Sequence, residues 1–291
     1  MIPSPANGRR SIGDAGDGSR LLPDFIQRHA PLFVLTGAGC STDSGIPDYR
    51  DSDGQWKRAE PIRYQSFLRD PAARGRYWAG SFVGWPRVAV ARPNAAHQAL
   101  AALEQCGLLT QLVTQNVDGL HQRGGSRRVL DLHGRLDIVD CLDCGLRLTR
   151  DRMQQLLAAS NPHFEPLRAD ASAPDGDVLL DSGAASDFRV PPCPDCGGVL
   201  KPAVVFFGEN VPRPRVTRAF ARLMESRGVL VVGSSLTVFS GYRFCLEAAK
   251  RGLPIALLNR GCTRADALAA LKLDTGCAEA LRDAAVRVSR F

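Results

Sequence analysis

The chain has 291 residues, 44% of them apolar and 23% charged, which is typical of a globular protein with one large domain or two unequal ones. No apolar run reaches the roughly 18 residues that cross a bilayer, so we expect no membrane span. The net charge of +7 comes from 33 arginines against four lysines. Because these arginines are scattered, we interpret them as a solvated surface and expect no direct nucleic-acid binding.

The N-terminal stretch is polar and rich in proline and glycine, and it lacks the apolar segment of a secretory signal. We expect residues 1–20 to form a disordered tail. The chain carries nine cysteines. Without a secretory signal, they favour metal ligands and reduced thiols over disulfides. We therefore predict the cytoplasm of a bacterium, with the mitochondrial matrix as the alternative.

Short apolar runs predict buried strands of a parallel sheet. Helix-like stretches alternate with them, and one of these follows the N-cap residue Asn94 and ends at Gly107. Strands that alternate with helices at this spacing indicate a doubly wound α/β sheet. The predicted strands are residues 32–36, 108–114, 203–207, 229–233 and 254–259.

The alternation fails between residues 136 and 200, where two Cys-x-x-Cys pairs flank an irregular stretch. We predict that residues 136–200 form a small zinc module inserted into an α/β domain of residues 21–135 and 201–291. Four thiolates satisfy tetrahedral Zn²⁺ and leave no open position, so the site would be structural. A redox thiol couple is the alternative. The candidate ligands are Cys141, Cys144, Cys193 and Cys196.

A glycine-rich loop, Gly37-Ala38-Gly39, follows the first predicted strand. Small residues after a strand let backbone N–H groups approach a phosphate closely. The ordinary dinucleotide fingerprint fails, because Thr42 occupies its third glycine position. This failure argues against an NAD-linked hydride-transfer enzyme. The loop alone fits nucleotide binding or a plain turn, and the dense polar run after it favours nucleotide binding.

Three further predicted strands end in small or polar residues. Ligands bind at the carboxyl ends of the strands in open α/β sheets, although Asx-type turns also use such residues. We predict that these strand ends and the glycine loop form one continuous ligand crevice. The residues are Gln115, Asn116 and Asp118, then Gly233, Ser234 and Ser235, and finally Asn259, Arg260 and Gly261.

The chain resembles the sirtuin family, the NAD-dependent protein deacylases, in an ordered set of motifs that covers about residues 31–277. It is most similar to class II sirtuins. The resemblance implies a Rossmann-like domain and a smaller zinc and helical module, with NAD and an acyl-lysine substrate meeting in the cleft between them. The motifs are "GAGCSTDSGIPDYR", "TQNVDGLH", "LHG", the two cysteine pairs, "KPAVVFFGE", "VVGSSLTV" and "LLNRG".

The resemblance also implies a role for each matching residue. The cofactor phosphates and ribose would lie near Gly37, Ala38, Gly39 and Ser41. A mobile cofactor-binding loop would include Asp48, Tyr49 and Arg50. The nicotinamide ribose and carboxamide would be held by Asn116 and Asp118, with Gln115 on a ribose hydroxyl. The phosphate and adenosine end would be lined by Gly233, Ser234, Ser235, Asn259, Arg260, Gly261 and Cys277.

His133 lies eight residues before the first cysteine pair. Four thiolates leave it no role as a zinc ligand, and imidazole can take a proton near neutral pH. In the family mechanism the acyl oxygen attacks the ribose carbon as nicotinamide leaves. His133 would then deprotonate a ribose hydroxyl, with Asn116 as the second catalytic residue. The products would be free lysine, nicotinamide and O-acyl-ADP-ribose. We interpret His97 and His121 as structural.

Some positions depart from the family pattern, among them Cys40, which replaces a larger aliphatic residue. The Tyr-x-x-Arg pair of succinyl-preferring relatives is missing, because Gly80 stands three residues after Tyr77. A preference for strongly acidic acyl groups is therefore not supported. Two other functions remain open at this stage. They are protein mono-ADP-ribosyl transfer, which begins with the same NAD cleavage, and nucleic-acid binding by a basic zinc ribbon.

Overall fold

A computed structural model describes residues 18–48, 61–164 and 187–288. Tyr49 and Arg50 of the predicted cofactor-binding loop lie outside these ranges, as do residues 1–17. The first described helix, α1, spans Gly18–His29, so the last three residues predicted for the tail are helical. This helix forms because its apolar side chains, such as Leu22 and Ile26, are buried in the core.

Nine strands lie within the described ranges, and four of the five predicted strands are confirmed to within a residue or two at each end. The strands are β1 (Leu32–Thr36), β2 (Leu109–Thr114), β3 (Val129–Asp131), β4 (Gly134–Cys141), β5 (Arg147–Thr149), β6 (Leu200–Val204), β7 (Gly228–Val232), β8 (Ile255–Leu258) and β9 (Leu271–Leu273).

The main sheet is parallel and has the order β3-β2-β1-β7-β8-β9. Without the strands of the second sheet, this is the 3-2-1-4-5-6 order of a dinucleotide-binding fold. The predicted Rossmann-like doubly wound sheet is confirmed. The helices after α1 are α2 (Tyr64–Arg69), α3 (Pro71–Val90), α4 (Ala95–Gln105), α5 (Leu120–Arg123), α6 (Arg150–Ser160), α7 (Arg213–Met224), α8 (Phe239–Lys250) and α9 (Cys277–Val288).

Helices cover both faces of this sheet, which explains why its strands are almost continuously apolar. Residues of α1, α4 and α9 form one core with the strands, and residues of α7 and α8 form another on the opposite face. Helix α4 begins at the predicted N-cap. The Asn94 side chain accepts the N–H of Ala96 at 2.9 Å, and the His97 ring accepts the N–H of Asn94 at 3.2 Å.

The prediction that residues 203–207 belong to the parallel sheet is wrong. The observed strand, β6, pairs antiparallel with β4 in a separate sheet of order β5-β4-β6. An apolar run reports burial and leaves the partner sheet undetermined, which is the reason for the error. No helix within the described ranges is both long and apolar enough to cross a bilayer.

Helices α2 and α3 pack against the second sheet. Phe67 and Trp78 share a core with Val139 and Met153, and the Trp78 indole N–H donates to the Leu200 carbonyl at 3.2 Å. The structure therefore joins this helical segment to the core of the inserted module, although it precedes the module by more than forty residues in the chain. The crevice described next lies between this module and the main sheet.

Candidate active site

The strand order reverses between β1 and β7, and the loops after these two strands pack together. The Gly39 N–H donates to the Gly233 carbonyl at 2.9 Å. A Cβ on Gly37 would lie 2.7 Å from the Gly233 carbonyl oxygen, and Gly233 itself has φ of 61°, in the left-handed region. The glycines thus serve first to bring two loops together at the switch point, where open α/β sheets bind ligands.

A cavity of about 400 Å³ opens at this point. Gly261 and Cys277 are not among the residues that line it. The Gly261 N–H instead donates to Asp274 at 3.2 Å, and Cys277 is buried with its thiol 3.8 Å from the Leu258 carbonyl. The other predicted cofactor and catalytic residues within the described ranges line the cavity: Gly37, Ala38, Gly39, Ser41, Asp48, Gln115, Asn116, Asp118, His133, Gly233, Ser234, Ser235, Asn259 and Arg260.

Ser41 is almost fully buried and links Asn116 to Asp118. Its hydroxyl donates to Asp118 Oδ2 at 2.7 Å and accepts a hydrogen bond from Asn116 Nδ2 at 3.0 Å. The second Nδ2 proton of Asn116 goes to the Gly37 carbonyl at 3.0 Å. Because both amide protons are used, Asn116 has its Oδ1 acceptor left for a ligand. Ser41 therefore orients the two side chains that the sequence predicted as ligand contacts.

Gln115 ties the end of β2 to the loop after β7. Its Nε2 donates to Ser234 Oγ at 2.8 Å and to the Thr36 carbonyl at 3.3 Å. The Ser234 hydroxyl accepts in turn the N–H of Leu236 at 3.2 Å. These bonds fix the floor of the crevice from three strand ends.

The hydrogen bonds of His133 determine its tautomer. Its Nδ1 lies 3.0 Å from the Gln115 carbonyl oxygen, and its Nε2 lies 2.7 Å from Ser240 Oγ. A carbonyl oxygen is only an acceptor, so Nδ1 carries the proton and donates it. Nε2 is then unprotonated and accepts a hydrogen bond from the Ser240 hydroxyl. Nε2 is therefore the basic nitrogen of the ring.

Burial lowers the pKa of His133 to about 4; the bond to the Gln115 carbonyl opposes this shift, and Arg215 and Arg243 add to it. The ring is neutral at physiological pH as a result. His133 also anchors the crevice wall through its backbone, because its carbonyl accepts the N–H of Val205 at 2.7 Å. A neutral, oriented imidazole in a cavity is the arrangement that a general base requires.

Ser240 and Arg243 line the cavity but were missed in the sequence. Both lie on α8, where no motif distinguishes a serine or an arginine of the site from one that faces solvent. The Arg243 guanidinium lies 5.4 Å from the Phe239 ring centre, and its buried Nε has no hydrogen-bond partner within the described residues. Only the tertiary contact with His133 identifies Ser240 as part of the site.

The four candidate zinc ligands come together. All four sulfur atoms lie within 4.8 Å of one another, with Cys141 and Cys196 at 3.5 Å and Cys144 and Cys193 at 3.8 Å. Zn–S bonds of about 2.3 Å in a tetrahedron require sulfur separations of about 3.8 Å. The pKa of the Cys141 thiol is lowered to about 7, mainly by a hydrogen bond from the backbone N–H of Cys144. The cluster therefore fits a tetrahedral metal ion.

The fold and the crevice define a Rossmann-like nucleotide-binding protein with a four-cysteine module. The Sir2 family model matches residues 37–240, and the chain belongs to this family. It is 62% identical to a protein of Xanthomonas axonopodis pv. citri (strain 306) named NAD-dependent protein deacetylase, over 89% of this chain and 88% of that protein. NAD-dependent protein deacetylase 2 of Bradyrhizobium diazoefficiens is 55% identical, over 93% and 98%.

Solved structures of the same family superpose on this chain. One is described as a Sir2–p53 peptide–NAD⁺ complex; it has a TM-score of 0.75 and 30% sequence identity, covering 94% of this chain and 99% of that one. Another, described as a Sir2 homolog–NAD complex, has a TM-score of 0.71 and 31% identity, covering 92% and 93%. The likeness therefore spans both the main sheet and the inserted module.

Proposed function

We propose that this chain is an NAD-dependent protein lysine deacylase that uses His133 as its general base. The observation that carries the proposal is the unprotonated Nε2 of His133, held against the Ser240 hydroxyl in the crevice at the strand-order switch point. Membership of the Sir2 family and two relatives named NAD-dependent protein deacetylases support the reaction class. The substrates are acylated proteins or peptides.

The residues around the switch point fit NAD. The close packing of Gly37 and Gly39 on Gly233 leaves the loop backbone without Cβ atoms where a phosphate would approach. Asn116 offers a free Oδ1 acceptor to a hydroxyl or an amide. The orphaned Nε of Arg243 gives the crevice a buried donor that a polar ligand would satisfy.

When bound, NAD would supply an electrophilic ribose carbon for the acyl oxygen, with nicotinamide as the leaving group. His133 Nε2 accepts the proton of a hydroxyl placed in the crevice, and the Gln115 carbonyl holds the ring in the tautomer that makes this possible. The Ser240 hydroxyl occupies Nε2 in the structure, so a substrate hydroxyl has to take its place. Ser41 keeps Asn116 and Asp118 in position throughout.

Aromatic and aliphatic side chains line the end of the crevice next to the module. Tyr77 packs against Phe206 and Phe67, with ring centres 5.0 Å and 5.5 Å apart, and Ile46 and Ile62 complete this wall. Such a wall stabilises a short uncharged acyl chain and penalises a carboxylate that must lose its hydration. We expect acetyl-lysine to be preferred over succinyl-lysine, with the peptide backbone added as a strand between residues 204–209 and 234–238.

We further propose that the four cysteines bind a structural Zn²⁺. The left-handed glycines Gly145 and Gly197 close the two knuckles, with φ of 75° and 77°. Their N–H groups donate to the carbonyls of Cys141 and Cys193 at 3.1 Å and 2.9 Å. Four thiolates leave no position for a substrate, so the ion would hold the module together and take no part in the reaction.

The test is deacylation of an acetyl-lysine peptide with NAD, followed by mass spectrometry. The wild type should release one O-acetyl-ADP-ribose for each lysine freed. His133→Ala should lower kcat by about 10²–10⁴-fold, the usual contribution of a general base, and should still unfold in one cooperative thermal transition, which shows that it folds. His163→Ala is the matched control, because His163 is an exposed histidine.

A His133→Ala variant with wild-type turnover would disprove the base assignment. Labelled ADP-ribose on protein without any deacylated peptide would indicate ADP-ribosyl transfer instead. None of the relatives reported above is named for that reaction, and no feature of the crevice favours it. Deacylation therefore remains the function that the site supports best.

A further inference from the structure

A second cluster of metal-ligand side chains lies beside the crevice, within the main domain. It consists of Cys40, His97 and His121, whose ligand atoms all lie within 4.8 Å of one another. The three residues are 2%, 0% and 1% exposed. None of them has a role in the reaction proposed above, so their juxtaposition is unexplained by it.

The hydrogen bonds of His121 leave one bare nitrogen in this cluster. Thr36 Oγ1 donates its only hydroxyl proton to Thr114 Oγ1 at 2.8 Å. It can therefore only accept a hydrogen bond from His121 Nε2, which is also 2.8 Å away. His121 Nδ1 is therefore unprotonated. It is buried and has no hydrogen-bond partner within the described part of the chain. A buried lone pair of this kind is costly unless a ligand satisfies it.

His97 can offer its second nitrogen to the same point. Its Nδ1 is occupied by Asn94, with the side-chain Oδ1 at 3.0 Å and the backbone N–H at 3.2 Å. Its Nε2 makes only a long contact of 3.5 Å with Ser41 Oγ. Because Nδ1 accepts the Asn94 N–H, the neutral ring carries its proton on Nε2, and binding an ion there requires that proton to move to Nδ1. Asn94 Oδ1 would then accept the Nδ1 proton, as Thr36 Oγ1 accepts the Nε2 proton of His121, and metal-bound histidines commonly make such a bond.

We propose that Cys40, His97 and His121 form a second binding site, specific for a divalent transition-metal ion such as Zn²⁺. One thiolate and two imidazoles are a ligand set that suits this ion, at bond lengths of about 2.0–2.3 Å. Drawing the three atoms onto one ion requires shifts of about 1 Å from their present separations. The Asp118 carboxylate is near enough to both Cys40 and His97 to act on them electrostatically, and it compensates the remaining positive charge.

Binding at this site replaces the Cys40 S–H bond by an S–metal bond and releases the thiol proton to solvent.

The position of Cys40 links the site to the crevice, a consequence that rests on the proposed function. Cys40 directly precedes Ser41, which holds Asn116 and Asp118. Pulling Cys40 toward an ion moves Ser41 with it and disturbs both side chains. Occupation of the site should therefore weaken NAD binding, so that the metal acts as an inhibitor.

The experiment measures metal content by mass spectrometry after full-length protein has been saturated with Zn²⁺ and desalted. Wild type should retain one ion per chain more than Cys40→Ala and Cys40→Val. Cys245→Ala is the matched control, because Cys245 is an equally buried cysteine on the opposite face of the sheet, and it should retain the wild-type content. Thermal midpoints of all variants, measured on the purified proteins before zinc is added, verify that each one folds.

Co²⁺ provides a second readout, since thiolate coordination gives an intense near-ultraviolet band. The band assigned to the second equivalent should disappear in both Cys40 variants and remain in Cys245→Ala. Equal metal content in wild type and in folded Cys40 variants would refute the site. The Kd for NAD should rise when wild type binds the extra ion, and an unchanged Kd with that ion bound would refute the inhibition and leave the site in place.

Discussion

Replacing Ser41 with alanine tests whether this residue acts by holding Asn116 and Asp118. The change removes a hydrogen bond to a carboxylate at 2.7 Å and another from an amide at 3.0 Å. A bond to a charged group contributes about 1.5–3 kcal/mol and a neutral one about 1 kcal/mol. We expect Ser41→Ala to lower the free energy of unfolding by about 2–4 kcal/mol in total.

Ser44→Ala is a matched control three residues further along the same loop. The Ser44 hydroxyl is also buried but has no hydrogen-bond partner among the described residues. Its removal should change the free energy of unfolding by no more than about 0.5 kcal/mol, since no bond is broken. Comparing the two variants therefore separates the stability lost with the hydrogen bonds of Ser41 from the effect of removing a buried hydroxyl that makes none.

Urea unfolding, followed by tryptophan fluorescence, is the assay. For an m-value of about 3 kcal/mol/M, the midpoint of Ser41→Ala should fall by about 1 M. Its Kd for NAD should rise as well, because Asn116 and Asp118 lose their orientation. Equal midpoints for Ser41→Ala and Ser44→Ala would refute the assigned network, whatever the effect on NAD.

Three further predictions concern the histidines and the cysteine cluster. Burial lowers the pKa of both His97 and His121, so the unfolded chain takes up protons at a higher pH than the folded chain does. The free energy of unfolding should therefore fall by up to about 1.4 kcal/mol per pH unit for each histidine below pH 6.5. Chemical denaturation at pH 7.5 and 5.5 measures this fall, and equal stability at both pH values would contradict it. Ser240→Ala should raise the pKa of His133, because the Ser240 hydroxyl stabilises the neutral ring by donating a hydrogen bond to Nε2. The acid limb of the kcat/KM profile should therefore move to higher pH, with the alkaline limb unchanged. Cys144→Ser should lose the structural zinc and expose residues 136–200 to limited proteolysis, and retention of the metal with an intact cleavage pattern would argue against a four-thiolate site.

The sequence determined the main sheet well, because its strands are apolar on both faces and end at distinctive residues. The runs at 32–36, 229–233 and 254–259 correspond closely to β1, β7 and β8. The Asn94 cap was equally readable, since capping is a local interaction between neighbours in the chain. The clustering of the four cysteines was predictable from their two Cys-x-x-Cys pairs, although the pairs are 48 residues apart.

The sequence did not determine which distant segment each strand or helix packs against. The apolar run near residue 203 could have joined either sheet, and the antiparallel register with β4 decided it. Helices α2 and α3 were assigned to the main domain by position, whereas Trp78 and Phe67 pack into the core of the module. Apolar periodicity reports that a face is buried and carries no information about the surface that buries it.

The chemistry of the site divides in the same way. The sequence by itself predicted which side chains would carry it, because His133, Asn116 and Ser41 stand in motifs whose residue types are few and specific. Only the tertiary structure decided which nitrogen of His133 is unprotonated, that Ser240 reaches it, and that Ser41 joins Asn116 to Asp118. Tautomers and hydrogen-bond partners depend on atoms brought together from distant parts of the chain, and such contacts exist only after the chain has folded.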